Sequence, residues 1–319
     1  KILLAEPASE TSYFHDVSKA YSHLDYPLLW PLAIAWVWSV VGSPDILVIK
    51  VLGAFMLGGY ALTFYGLLAR RCDRTHALLF TAVLLGLPIF QNLTVRMMAD
   101  VPLSFFLLGA VVLVFDWLET GDRPSLVLAG LFSAGLLLTK NEGMALFGIV
   151  AVCLLATLVR QRRWQAIADA LRWVVLPPLL LSLPWFVMRA GIPKVHEDMG
   201  ARMSPFVALQ QLDRLPEIAR LAAGYLGDTS SWNGLWPLLA LLLVLTPKIW
   251  RRPSMLFLFM VGATSLLTYA YAYVVTPWVV AELMGFSTNR LALHIAPVFI
   301  FLAAEIVRTR RLLPIPQLR

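Results

Sequence analysis

Nine apolar runs divide this chain, at 46–69, 77–90, 101–118, 126–138, 144–159, 173–188, 235–246, 255–275 and 291–307, and short polar turns separate most of them. The runs have helix lengths, up to that of a crossing of a hydrocarbon layer about 30 Å thick, and lack the period of two of a barrel strand. Of the 319 residues, 59% are hydrophobic and 14% charged. Soluble domains carry roughly 45–50% apolar and about 25% charged residues. The expected fold is therefore an all-α, polytopic membrane helix bundle. The net charge of +7 has a simple origin in such a protein, because Lys and Arg mark the cytoplasmic turns. No basic run is interleaved with aromatics on a soluble stretch, so nucleic acid is not an expected partner. Cys72 sits in a basic turn and Cys153 in mid-span, which suggests neither a disulfide nor a metal site.

Five turns set the orientation: Arg70, Arg71 and Arg74; Asp122 and Arg123; Arg160, Arg162 and Arg163; Lys248, Arg251 and Arg252; and Arg308, Arg310 and Arg311. With nine spans between them, all five fall on one side, which the positive-inside rule makes cytoplasmic. The opposite side then carries NLTVRMMAD at 92–100, TKNEG at 139–143, the loop 189–233 and the stretch 275–290. Residues 1–26 are too polar to span and read as an outer-face loop, with 27–319 forming the multi-span domain. Residues 26–42 suit a short span or a helix lying in the interface. The insert 189–233 shows a helical pattern from 204 to 226, with Pro205 near its start, suited to a lid or to a plain surface helix. Asn92-Leu93-Thr94 matches a glycosylation sequon. The chain opens on KILLAEPASE with no Met and no signal peptide, and the expectation is that a first span lies upstream.

Three outer tips carry the candidate chemistry, holding Arg96 and Asp100, then Lys140 and Glu142, then Ser287 to Arg290. Charge beside the hydrocarbon is costly unless it is paired, hydrated or used. Together with Asp25, these groups suit a lipid whose anionic head lies at the surface. Arg and Lys complement phosphate, and carboxylates act as a base or hold a divalent cation, the one cofactor left open. Each residue also has a structural explanation. Arg96 and Asp100 stand at i and i+4 and can pair. Lys140 and Glu142 can cap a turn that Gly143 helps to reverse, Arg290 and Lys50 can snorkel, and His294 reads as a packed core histidine. No nucleophile elbow, P-loop, HExxH or GxGxxG occurs.

Several stretches resemble the GT-C glycosyltransferases, in the branch that holds lipid A aminoarabinose transferase and the protein O-mannosyltransferases (the glycosyltransferase family 39 type). His23-Leu24-Asp25-Tyr26-Pro27-Leu28-Leu29-Trp30-Pro31, followed by Gly42 and a span opening near Lys50, is similar to that branch's YPPLxP stretch. Arg96-Met97-Met98-Ala99-Asp100-Val101-Pro102-Leu103 resembles its R-x-x-x-D-x-P-L hairpin. Gly135 to Gly143, GLLLTKNEG, is similar to G-L-x-x-L-T-K-x-x-G, and Asn289-Arg290-Leu291 with Pro297 to a late Arg-containing span start.

The resemblance implies a GT-C-like fold and a reaction. A sugar passes from a polyprenyl-phosphate to an acceptor glycan, lipid or protein on the extracytoplasmic face of the plasma (inner) membrane, with inversion at the anomeric carbon. It assigns Arg96, Asp100, Lys140 and Arg290 to the head-group site, with Tyr26 and Pro27 shaping the wall. It also implies an acidic residue in the first outer loop, upstream of the Tyr-Pro stretch. No Asp-Asp or Asp-Glu pair stands there; Asp16 and Asp25 are the nearby aspartates and neither matches, so the acid is expected upstream of the chain. The rival reading is a carrier or flippase for a lipid-linked or amphipathic substrate, which favours mid-span polar groups and paired broken helices. A structural subunit is the third.

Overall fold

The computed structural model describes residues 12–16, 18–19, 23–192 and 203–310. Much of the outer loop 1–26, the segment 193–202 of the insert, and Arg311 lie outside the described residues. Among the described residues all regular structure is helical, and the chain is an all-α polytopic membrane bundle. Among the described residues six helices are long and apolar enough to cross a membrane: α2 (Ile46–Ala69), α5 (Asp100–Thr120), α7 (Glu142–Arg160), α8 (Trp164–Ala190), α13 (Pro253–Val275) and α14 (Val280–Arg310). Shorter apolar helices are α1 (Leu29–Val41), α6 (Arg123–Thr139) and α12 (Leu235–Leu245). At 13 residues α1 is about 20 Å long, short of an upright crossing.

The run 77–90 is not one helix. It divides into α3 (Arg74–Leu85) and α4 (Pro88–Val95), bent by 62°. Pro88 has no N–H to offer the Leu84 carbonyl, and Leu87 before it is held extended at φ −69, ψ 120. The aspartates of the basic turns start helices. Asp73 accepts from the Thr75 and His76 N–H groups at the head of α3, and Asp122 from Ser125 at the head of α6. Within α8 the chain makes a π-helical turn at Leu171–Val175. Pro177 and Pro178 follow it and remove two backbone donors.

α5 and α14 are apolar on nearly every face and form the buried centre, while α2 is mostly open at the rim. α6 and α7 pack beside α5, and α13 beside α14. Contacts then sort the helix ends. Arg71 after α2 reaches Asp116 near the end of α5 and Glu305 near the end of α14. Arg163 donates to the Leu118 carbonyl, and Ser254 at the head of α13 donates to Glu119. The basic turns thus gather at one end of the bundle.

Two expectations about the other end are corrected. The residues 287–290 are not a tip, because α14 begins at Val280 and runs through them without a break. The early turns of α14 are held by packing: Val280 and Met284 bury against Ile218 of the insert and Tyr273 and Val274 of α13. The insert's helical pattern, read from 204 to 226, divides into α9 (Pro205–Leu209), a 3-10 turn (Leu212–Arg214) and α10 (Leu215–Gly227), where Pro216 opens the last helix. α11 (Thr229–Trp232) completes it. Arg214 donates to the Val274 and Thr276 carbonyls at the end of α13, and Trp232 to Asn289 on α14. The described part of the insert is therefore fastened over the α13–α14 end.

Candidate functional site

At the end opposite the basic turns, Asp100 is the first residue of α5 and its side chain is fully buried. Its two oxygens are shared among three donors from two other parts of the chain. Oδ1 accepts from Lys140 Nζ at 3.0 Å and His294 Nε2 at 2.9 Å. Oδ2 accepts from Arg290 Nε at 3.1 Å, with Nη2 also at 3.1 Å. Lys140 Nζ also meets Glu142 Oε1 at 2.7 Å. Beyond the histidine, the Tyr269 hydroxyl lies 2.9 Å from His294 Nδ1.

Local chain geometry brings these groups together. Lys140 is extended, at φ −160 and ψ 156, between α6 and α7. Three residues on, Gly143 lets α7 cross close over α6: a Cβ there would stand 2.0 Å from the Leu136 carbonyl oxygen. Arg290 and His294 are four residues apart on α14, so both face α5.

The i, i+4 pairing of Arg96 with Asp100 does not form. α4 ends in a Schellman motif, with Met97 N–H bonded to Thr94 O, Met98 N–H to Leu93 O, and Met97 left-handed at φ 56. The reversal breaks the helix between the two residues. The Arg96 side chain is exposed and has no ion pair among the described residues, while Trp30 donates to the Met97 carbonyl at 2.8 Å and fixes the turn.

The 139–143 turn carries a second contact set on its other side. Asp25 Oδ2 accepts from Asn141 Nδ2 at 2.8 Å and from Arg189 Nη2 at 3.2 Å. Asp25 is half-buried in this pair, whereas Asp16 is exposed and bonds the Ser18 N–H. Tyr26 lies in the field of both sets. Burial pushes its phenol up, and the neighbouring carboxylates Glu142 and Asp25 add to the shift, so the phenol keeps its proton.

Donors remain unspent. Lys140 uses two of three N–H groups, and the Arg290 Nη1 has no partner among the described residues. Arg290 is 33% exposed and Lys140 5%, so the cluster opens on the Arg290 side. Acceptors remain too: Glu142 Oε2 and Asn141 Oδ1 are buried without a partner among the described residues. The cluster can hold an anionic group against Arg290 and Lys140 and offer acceptors to hydroxyls beside it. A divalent cation fits poorly. Both Asp100 oxygens already face N–H donors, and among the described residues no three of His, Cys, Asp and Glu gather as ligands.

The cluster includes His294, read from the sequence as a packed core histidine, and Tyr269, which the sequence did not single out. For His294 a signal was present in its spacing four residues after Arg290; Tyr269 has no local signal.

Part of the chain is similar to an undecaprenyl phosphate-alpha-4-amino-4-deoxy-L-arabinose arabinosyl transferase of Shewanella sediminis (strain HAW-EB3), at 31% identity over 144 residues. That match spans 43% of this chain and 26% of the relative, so the chain corresponds to about a quarter of that protein's length. No protein-family profile matches the chain, and no solved structure does.

Proposed function

We propose that this protein is a membrane glycosyltransferase of the GT-C type, taking a sugar from a polyprenyl-phosphate donor on the extracytoplasmic side. The observation that carries the reading is the meeting of Lys140 and Arg290 on Asp100, at the bundle end away from the basic turns, with N–H groups left over. The partial relative supports it, since its name specifies an undecaprenyl-phosphate-linked sugar. In the reaction, an acceptor hydroxyl or amine attacks the anomeric carbon and releases its proton to the surrounding water, the bond from that carbon to the phosphate oxygen breaks, and the phosphate leaves with the electron pair. Arg290 and Lys140 offset the charge gathering on that phosphate. Glu142, through its unpartnered oxygen, and Tyr26 hold the sugar beside the cluster, and Arg96 meets the head group from outside it. Asp100 is a framework carboxylate and not the base, because its lone pairs are already engaged. The proposed acceptor is a glycan, lipid or protein outside the membrane.

The test is reconstitution into liposomes with an undecaprenyl-phosphate-linked sugar and an envelope extract as acceptor. Mass spectrometry should find free undecaprenyl phosphate and a glycosylated acceptor, and Arg290→Ala should remove both. Lipid that crosses the bilayer with its sugar still attached would favour the carrier. The bent pair α3 and α4 is the feature such a reading would use.

A further inference from the structure

His294 is wholly buried, and it joins three helices through two hydrogen bonds. On one side its Nε2 lies 2.9 Å from Asp100 Oδ1, and on the other its Nδ1 lies 2.9 Å from the Tyr269 hydroxyl. Asp100 is held as a carboxylate by Lys140 and Arg290, so it accepts, and Nε2 must carry the proton. In the neutral ring Nδ1 is then an acceptor, and the Tyr269 O–H is its donor. Asp100 thus sets the tautomer, and the Tyr269 hydroxyl satisfies the Nδ1 lone pair and holds the ring in that orientation. The same order, a buried polar group aligning an imidazole that in turn orients a charged group, keeps active-site groups in register elsewhere.

We infer that His294, aligned by Tyr269, is a positioning residue for the anion site: its N–H occupies one side of Asp100 Oδ1 and so fixes the directions from which Lys140 and Arg290 approach. This rests on the proposed phosphate site. Without the imidazole N–H, Lys140 Nζ is free to swing fully onto Asp100 or onto Glu142, 2.7 Å away. The ammonium and its third N–H are then no longer held in one place. The geometry asks for a donor at the Nε2 position and does not ask for a charge there. Gln places its amide nitrogen near the place of Nε2, whereas Asn is a bond shorter and reaches only the place of Nδ1.

The experiment is equilibrium binding of undecaprenyl phosphate to the purified full chain in detergent, with the thermal midpoint of each variant recorded without lipid. His294→Leu should bind about tenfold more weakly than wild type, the scale of one lost charge-assisted contact. His294→Gln should stay within about threefold, and Tyr269→Phe, which removes the donor to Nδ1 and so the ring's alignment, should fall between them. If His294→Leu does not fold, the pair His294→Gln and His294→Asn decides: Gln should bind the lipid more tightly than Asn. Equal binding by Gln and Asn, or wild-type binding by Tyr269→Phe and His294→Leu with only the midpoint lowered, overturns the inference and leaves His294 a staple between helices. Failure of the wild-type chain to bind undecaprenyl phosphate at all would instead remove the proposed function beneath it.

Discussion

Asp100 and Asp116 stand near the two ends of α5, sixteen residues or about 24 Å apart along its axis, and each belongs to an ion cluster that reaches α14. The two clusters are built in opposite ways. At the basic-turn end the hub is a cation. Arg71 spends Nε on Glu305 at 2.7 Å and Nη1 on Asp116 at 2.8 Å, and its guanidinium lies 4.5 Å from the centre of the Phe115 ring. Arg308 closes on Glu305 at 2.7 Å. At the other end the hub is a carboxylate, and its cations keep N–H groups to spare. A cation closed in by Asp116, Glu305 and the Phe115 ring holds helices; a carboxylate ringed by cations, with Arg290 33% exposed, also holds them and, on the proposed reading, takes an anion besides. The pair spans a distance on the scale of a hydrocarbon layer, so on the proposed reading one helix carries a fastening at one interface and a binding site at the other.

The largest effect should come from the fastening. Arg71→Ala removes the shared cation from Asp116 and Glu305, whose side chains are 4% and 1% exposed, and leaves Asp116 only the longer 3.5 Å contact to Arg70 and Glu305 only Arg308. Breaking such a pair costs about 3–5 kcal/mol. Much lower yield and a collapsed thermal midpoint in detergent are expected, and a stable Arg71→Ala protein would break the comparison at its structural half.

Placing the clusters on opposite faces has an all-or-none readout. In intact cells, a cysteine replacing Ser230 should react with an impermeant maleimide and one replacing Arg162 should not. Both positions are exposed. The reverse pattern would put the Asp100 cluster on the cytoplasmic side.

Lys140 tests the binding end at intermediate size. Lys140→Arg keeps the charge but places a planar fork where a compact ammonium bridges Asp100 and Glu142. It should fold and recover part of the donor affinity that Lys140→Ala loses, as read by lipid titration. Full recovery would mean that only the charge matters there.

Most of the frame was legible in the sequence. The apolar runs gave the helices and the arginines gave the two ends, since both signals are local. Lys140 and Arg290 stood out because charge next to an apolar run is costly. What stayed hidden was the continuity of α14 through 287–290, which depends on Val280 and Met284 finding the insert helix α10 and α13. The Met97 reversal was hidden as well, because a left-handed Met carries no local mark such as glycine would. That turn is what separated Arg96 from Asp100. The role of Tyr269 depends on three helices meeting, which no spacing along one run reports.

The smallest effect belongs to Arg96. With an exposed side chain and no ion pair among the described residues, Arg96→Ala should change the thermal midpoint little, within about 0.5 kcal/mol of stability. Its effect on lipid binding should be smaller than that of Arg290→Ala. A larger one would move the head group toward the 92–100 tip.

The central claim is that the Asp100 cluster is an anion site as well as a fastening. Titration of wild type and Arg290→Ala with undecaprenyl phosphate, and with undecaprenol lacking the phosphate, tests it most directly. The account predicts that wild type prefers the phosphate lipid and that Arg290→Ala loses that preference by about tenfold or more, the value of a contact of roughly 1.5–3 kcal/mol. The thermal midpoint should change far less than in Arg71→Ala. Equal affinity of both proteins for both lipids would contradict it and make the two clusters alike.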